Sequence, residues 1–471
     1  EKTLLRQLNN KVQEQIRLMK GSHTPDQAAA IEEEITKLRE QLQQLESQIR
    51  KENPHYAELE YPQPLSLREI QKLVLDKDTV LLEYALGKEH SYLWMVTATS
   101  LEIFTLPKRS EVEDSVQQVY QLITLRAQRQ PFETSDEQNA NLMVADVKYP
   151  QVVAALSDML LKPVLAKLNG KRLLIVLDGA LHYLPFGILP VDQVGTPLLN
   201  EHDIISLPSA STLAVLRCET TNRQKASKAI AVLADPVFDI KDERVAKKQD
   251  NQNTSPTLAI KLSNDRITRS ATQLGLERSG TLARLRFTRE EALSIKALVA
   301  DSKIALDFDA NLKTASSLEL SEYRIIHFAT HGFLNGVNPE LSGLALSMVD
   351  HNGQPQVGFL SAQEVFNLNL PAELVVLSAC STGLGKQIRG EGLIGLTRSF
   401  MYAGAARVLV SLWNVDDKVT AVLMKRFYQK LFNENKPPVT ALRETQLEIS
   451  KEPQWQSPYY WAGFILQGEW K

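Results

Sequence analysis

The sequence predicts an α/β protein: a mostly parallel sheet flanked by helices, preceded by a smaller α/β unit and an N-terminal helical hairpin. Three observations lead there. Apolar residues repeat at helical spacing before residue 52, and short apolar runs then alternate with helical stretches to the end. The chain also has 471 residues, too many for one ordinary core. Strands that alternate with helices pair in parallel, because each crossover helix covers a face of the sheet.

Residues 1–55 form the hairpin. Leu5, Leu8, Val12, Ile16 and Met19 share one helical face. Gly21-Ser22-His23 interrupts it, and Thr24-Pro25-Asp26-Gln27 offers an N-cap, a proline at the first helical position and a capping-box glutamine. Ile31, Ile35, Leu38, Leu42, Leu45 and Ile49 then alternate four and three apart, the seam of a coiled coil. The chain opens on Glu1-Lys2-Thr3 with no initiator methionine, so the expectation is a fragment of something longer, with further helical repeats upstream.

Residues 56–225 form the smaller α/β unit. Apolar runs at 80–84, 92–96 and 101–104 make a β-meander whose first turn is Gly87-Lys88-Glu89-His90. Helices are expected near 110–128 and 149–167, then a buried strand at 172–177, a strand at 204–206 and a helix over 210–217. Residues 226–471 form the larger unit. Buried strands are expected at 229–235, 303–307, 323–329, 343–349, 373–379, 406–412 and 462–467, with helices near 288–300 and 392–403. Residues 239–285 are polar and rich in Lys and Arg; they read as a mobile linker, and as a candidate regulatory or self-cleavage segment.

Composition excludes some functions. A net charge of −3 argues against a dedicated nucleic-acid binder and a membrane-surface protein, and no run of eighteen apolar residues predicts a membrane span. The two cysteines, Cys218 and Cys380, are too few for a disulfide framework and lack the C-x-x-C pairing of thiolate zinc sites. The expected compartment is a reducing cytoplasm.

Two strand ends carry chemistry. Tyr323-Arg324-Ile325-Ile326-His327-Phe328-Ala329 runs into Thr330-His331-Gly332, and Glu373-Leu374-Val375-Val376-Leu377 runs into Ser378-Ala379-Cys380. Parallel neighbours of this kind bring His331 and Cys380 out at one edge. A free thiol is mostly protonated at neutral pH, so a nucleophilic Cys380 needs His331 to take its proton. The backbone N–H groups of Gly332 and Cys380 are the candidate oxyanion donors. Cys218, in the helical run Ala214-Val215-Leu216-Arg217-Cys218, reads as a small core residue, and His327 as a structural core histidine. Gly383-Leu384-Gly385-Lys386 is no phosphate loop, because Cys380 stands where the loop's first glycine belongs and Gln387 replaces Ser or Thr.

The two strand ends resemble the caspase-like clan of cysteine peptidases, in which one apolar strand ends in His-Gly and another in Ala-Cys. Cys380 follows His331 by 49 positions (380 − 331), close to the caspase spacing. Ser378 stands where caspases have Gln, so their Asp specificity is not carried over. The chain after residue 78 is more similar to the CHAT domain. The motifs are His327-Phe328-Ala329-Thr330-His331-Gly332, Leu377-Ser378-Ala379-Cys380-Ser381-Thr382-Gly383, Gly390-Glu391-Gly392-Leu393, Gly404-Ala405-Ala406-Arg407-Val408 and Ser411-Leu412-Trp413-Asn414-Val415-Asp416-Asp417.

That resemblance implies a caspase-like fold, a first unit that braces the second, and an association with tetratricopeptide repeats, mostly in bacteria. It places the specificity pocket at Asp235, Ser378, Trp413, Asp416 and Asp417. Carboxylates there would favour a Lys or Arg side chain; the alternative is that Asp235 and Asp416 only cap turns or helices. The expected function is a cysteine endopeptidase that cuts protein substrates after basic residues, with no cofactor or metal. A protein activator or upstream helical repeats are the expected partners. The alternatives are an idle caspase-like scaffold that binds protein partners, or a small-molecule amide or thioester hydrolase.

Overall fold

The computed structural model describes residues 64–128, 133–221, 223–245, 282–334, 342–378, 380–381 and 391–470, with isolated helical positions between 7 and 44. Two compact units result, Glu1–Leu65 and Ser66–Lys471. In the first, an ion pair of 2.7 Å between Lys11 Nζ and Glu34 Oε2 joins the two expected helices. Most of the expected coiled-coil seam lies outside the described residues.

Among its described residues the second unit has fifteen strands: β1 Thr79–Ala85, β2 Ser91–Val96, β3 Leu101–Leu106, β4 Arg172–Val176, β5 Ile204–Leu207, β6 Lys228–Pro236, β7 Ser302–Asp307, β8 Tyr323–Ala329, β9 His331–Phe333, β10 Gly343–Ala345, β11 Phe359–Ser361, β12 Leu374–Leu377, β13 Cys380–Ser381, β14 Arg407–Ser411 and β15 Phe464–Gly468. Eleven of them form one sheet in the order β3-β2-β1-β4-β5-β15-β14-β12-β8-β6-β7. Only the β1–β2–β3 meander and the β14–β15 pair are antiparallel. The central strands are largely buried between flanking helices, and β12, Leu-Val-Val-Leu, is wholly buried. The expected boundary at 225/226 falls between β5 and β6, two strands of this one sheet.

A second sheet, β11-β10-β9-β13, sits at the ends of β8 and β12. Phe333, Ala345, Met348 and Phe359 form its core, and Phe238 and Leu282 pack on it. The single strand expected over 343–349 is here a three-residue strand of this small sheet. The glycine sets its place: a Cβ on Gly343 would lie 2.4 Å from the Leu360 carbonyl oxygen, so only glycine lets β10 approach β11 so closely.

The helix Phe287–Leu298 buries Thr288, Glu291, Ala292 and Ile295, one face at helical spacing, and packs on the helix Asp417–Phe432. The helix Ser135–Leu160 begins well before the expected 149, at a capping box between Thr134 and Glu137. Its first turns expose Met143, Val144 and Val147, which erases the periodicity there. Cys218 is exposed, not in the core. The helix Ala210–Thr221 buries Leu213 and Leu216, and position 218 points away from that face. The expected linker 239–285 lies largely outside the described residues, but its two described ends, 239–245 and 282–285, are anchored at the site described next. No described helix is long and apolar enough to cross a membrane.

Candidate active site

β8 and β12 are parallel neighbours, with Phe328 opposite Leu377. Each leaves the large sheet and re-forms one turn later as a strand of the small one. There the register sets Cys380 opposite His331 and Ser381 opposite Gly332. Paired positions in such a ladder are about 4.8 Å apart. The two chain segments therefore run side by side at the carboxyl edge of the parallel strands, the edge where such sheets bind ligands. Gly332 is held between Ser381 and Leu344 of β10. The glycine-containing segment 382–390 lies outside the described residues.

The His331 ring is 7% exposed and packs against Phe238, with ring centroids 5.4 Å apart. Its Nε2 lies 2.6 Å from the carbonyl oxygen of Ala283. A carbonyl only accepts, so Nε2 carries the proton and Nδ1 is the bare nitrogen. Nδ1 is buried and has no hydrogen-bond partner among the described residues. Burial pushes the ring's pKa down; the Ala283 contact opposes this more weakly. The imidazole is therefore neutral near pH 7, the form a general base needs.

Nothing in the sequence singled out Ala283, because its contribution is a backbone carbonyl. Its neighbours fix it. Leu282 packs into the small-sheet core. Arg284 makes a bidentate contact with Asp235, Nε to Oδ1 at 2.9 Å and Nη2 to Oδ2 at 2.8 Å.

Asp235 is the next-to-last residue of β6, at the register shift between Ala234 and Pro236, and Pro236 pairs with Asp307 at the end of β7. Both aspartates sit in the left-handed region, with φ of 49° and 53°, a conformation Asp tolerates better than most. The Asp235 side chain is wholly buried, yet three arginines reach it. Besides Arg284, Arg289 Nε lies 2.8 Å from Oδ2 and Arg244 Nη1 lies 3.0 Å from Oδ1. Arg244 also bonds Asp307 and Asp242, each at 2.7 Å, and Arg289 also bonds Asp307. These arginines hold the carboxyls of Asp307 and Asp242 below the usual range. Neither Asp307 nor the three arginines carried a sequence signal, since isolated charges in a polar stretch look alike.

The other expected pocket residues are placed unequally. Ser378 is 4% exposed, and its Oγ is buried without a hydrogen-bond partner among the described residues. A buried hydroxyl of that kind costs about 1–3 kcal/mol. Trp413 is engaged elsewhere: its Nε1 donates to the Tyr459 carbonyl at 2.9 Å and its ring meets Tyr120 edge-on. Asp416 is the N-cap of Asp417–Phe432 and accepts from the Lys418 and Val419 amides at 3.0 and 3.1 Å. Asp417 follows it in the first turn. Burial, with the charges of Asp416 and Glu291, pushes its carboxyl up to about 6.

His327 is fully buried, with Nδ1 2.8 Å from Tyr428 Oη and Nε2 2.8 Å from Glu291 Oε1. These contacts tie β8 to both covering helices and hold the strand that delivers His331. Among the described residues no cluster of His, Cys, Asp or Glu could hold a metal.

Two curated relatives extend the picture. Tetratricopeptide repeat protein 28 of Homo sapiens is 25% identical over 351 residues, and its Mus musculus counterpart 24% over 357; each match covers 67% of this chain. The chain spans 13% of the length of either, and both are mammalian rather than bacterial proteins. Among solved structures, the Saccharomyces cerevisiae separase–securin complex matches 85% of this chain and 30% of that one, at 10% identity and a TM-score of 0.51. That likeness shows a caspase-like fold. Residues 151–469 match the CHAT domain family, which covers both the His331 and Cys380 strand ends, and the chain belongs to that family.

Proposed function

We propose that the chain is a cysteine endopeptidase that uses a Cys380–His331 dyad and cuts protein substrates after basic residues. The observation that carries this is the pairing of Cys380 with His331 across adjacent strands, with Nε2 tied to Ala283 and Nδ1 left as the base. In this reading the Cys380 thiol gives its proton to Nδ1 and the thiolate attacks the scissile carbonyl carbon. The C–N bond breaks as the imidazolium returns that proton to the leaving amine. Water, deprotonated by the same nitrogen, then hydrolyses the thioester. The Gly332 and Cys380 amides are assigned to the oxyanion, each such donor being worth roughly 3–4 kcal/mol. Asp235, buried and already bonded to a guanidinium in bidentate fashion, is assigned to the basic side chain of the substrate, with Ser378 beside the nucleophile. Protein partners fit the tetratricopeptide-repeat relatives.

The test is cleavage of reporter peptides with Arg or Lys before the scissile bond by the full chain. Cys380→Ala and His331→Ala should each abolish it; cleavage that survives both changes removes the dyad. A second reading, an idle scaffold that binds protein partners, is favoured by one observation: Asp235 already receives three arginines. Failure of iodoacetamide to label Cys380 faster than Cys218 would decide for it.

A further inference from the structure

Resting on the peptidase reading, we infer that Arg284 is an internal occupant of the guanidinium site at Asp235, and that a substrate's basic side chain enters by displacing it. One dipeptide touches both halves of the site. The Ala283 carbonyl lies on His331 Nε2, and the next side chain, Arg284, grips the Asp235 carboxylate through two nitrogens. A bound arginyl peptide would make the second contact in the same way.

Of the three arginines, Arg284 is the exchangeable one. Arg244 and Arg289 each keep a second carboxylate in Asp307. Among the described residues Arg284 otherwise bonds Glu243, whose side chain is 74% exposed, and feels Asp242 at longer range. Charge gives the same answer. Asp235, Asp242 and Asp307 carry three negative charges, and Arg244 and Arg289 two positive ones. Without Arg284 these five groups have a net charge of −1, and the exposed Glu243 adds one more carboxylate, so the cluster accommodates a cation. Two buried polar atoms, Nδ1 of His331 and Oγ of Ser378 two positions before Cys380, have no partner among the described residues, as expected of a site built for a ligand.

The test uses the full chain, an arginyl reporter peptide, and agmatine, a guanidinium without a peptide. Arg284→Ala should lower KM for the reporter roughly tenfold and tighten agmatine binding, read by calorimetry, by about the same factor. That is the factor expected when the open site is populated about one time in ten. Adding Asp235→Asn should remove the gain. Arg284→Lys keeps a cation but loses the fork, and should give a smaller change of the same sign; it decides the matter if the Ala variant does not fold. Unchanged KM and agmatine affinity in the folded variants overturn the inference while leaving the peptidase reading intact. A fall in kcat at constant KM also overturns it, because Arg284 would then act by holding Ala283 on His331. Tighter agmatine binding in a protein that cuts no peptide supports the occupant and ends the peptidase reading.

Discussion

Replacing Asp235 with Asn should be among the most damaging isosteric changes in this protein. The side chain is wholly buried with three guanidinium groups at 2.8–3.0 Å. Removing its charge takes one carboxylate from each of them. Arg244 keeps Asp242 and Asp307, Arg289 keeps the part-exposed Asp307, and Arg284 keeps the exposed Glu243. Breaking a buried pair from one side costs about 3–5 kcal/mol. At about 2.1 cal/mol/K per residue over roughly 400 residues, each kcal/mol moves Tm by about 1 °C, so a drop of about 4 °C is expected. Asn tolerates the left-handed backbone at φ 49° as Asp does, so this variant isolates the charge. Asp235→Ala adds the backbone strain, about 1 kcal/mol more. The assay is thermal unfolding followed by circular dichroism, in low salt and in 1 M NaCl. A buried cluster is weakly screened, so the loss should survive the salt. A drop below about 1 °C, or one that vanishes in salt, would refute the account of Asp235 as the buried anchor of the three arginines.

Three further outcomes follow from the same geometry. The Asp417 carboxyl, pushed up to about 6, binds its proton more tightly folded than unfolded. Stability therefore falls as pH rises from about 4 to about 6, and Asp417→Asn should gain about 1 kcal/mol at pH 7.5 after discounting for partial exposure, with no gain at pH 3.5; equal melting shifts at both pH values would contradict the sign. Tyr428→Phe keeps the ring but removes the hydroxyl 2.8 Å from His327 Nδ1, leaving a fully buried nitrogen unpaired, and should cost about 1–3 kcal/mol in urea unfolding. Gly463→Ala places a Cβ 2.7 Å from Val415 Cγ2 and 3.1 Å from the Trp413 indole. It should cost about 1–3 kcal/mol and alter the tryptophan emission, whereas an unchanged melt would mean that the loop yields easily.

How far the sequence reads depends on which group does the work. β8 was legible over 323–329 because all but Arg324 of its seven residues are buried in a parallel strand, and the shorter β12 and β14 are buried throughout. The small sheet was not, because strands of two or three residues show no period, and a run such as 343–349 looks like one long strand. His331 and Cys380 stood out as reactive side chains at strand ends. Ala283 could not, since its contact is made by an atom every residue has, across 48 positions of chain. Cys218 was misplaced by composition: Ala-Val-Leu-Arg-Cys is apolar, but only the 213/216 face is covered.

The continuity of the sheet bears on how the candidate site is held. The C-terminal strand β15 lies between β14 and β5, so the half of the sheet that carries β8 and β12 is not closed by its own strands. Side chains from the earlier half finish the job. Tyr120 donates from its hydroxyl to the Leu412 carbonyl and meets Trp413 edge-on, bracing the turn that follows β14. At the same edge Arg443 and Thr440 both bond Asp203, and at the other end Arg217 pairs with Glu469 at 2.5 Å and its guanidinium lies 4.0 Å over the Trp470 ring. None of these contacts involves His331 or Cys380; they join the earlier half to the ends of β14 and β15 and to the helices between them. An edge-bare sheet is also an aggregation template. A chain cut at 226 would therefore lose both the brace on Trp413 and the cover on β15. The two expected units thus share one sheet and are braced across it by side chains of both.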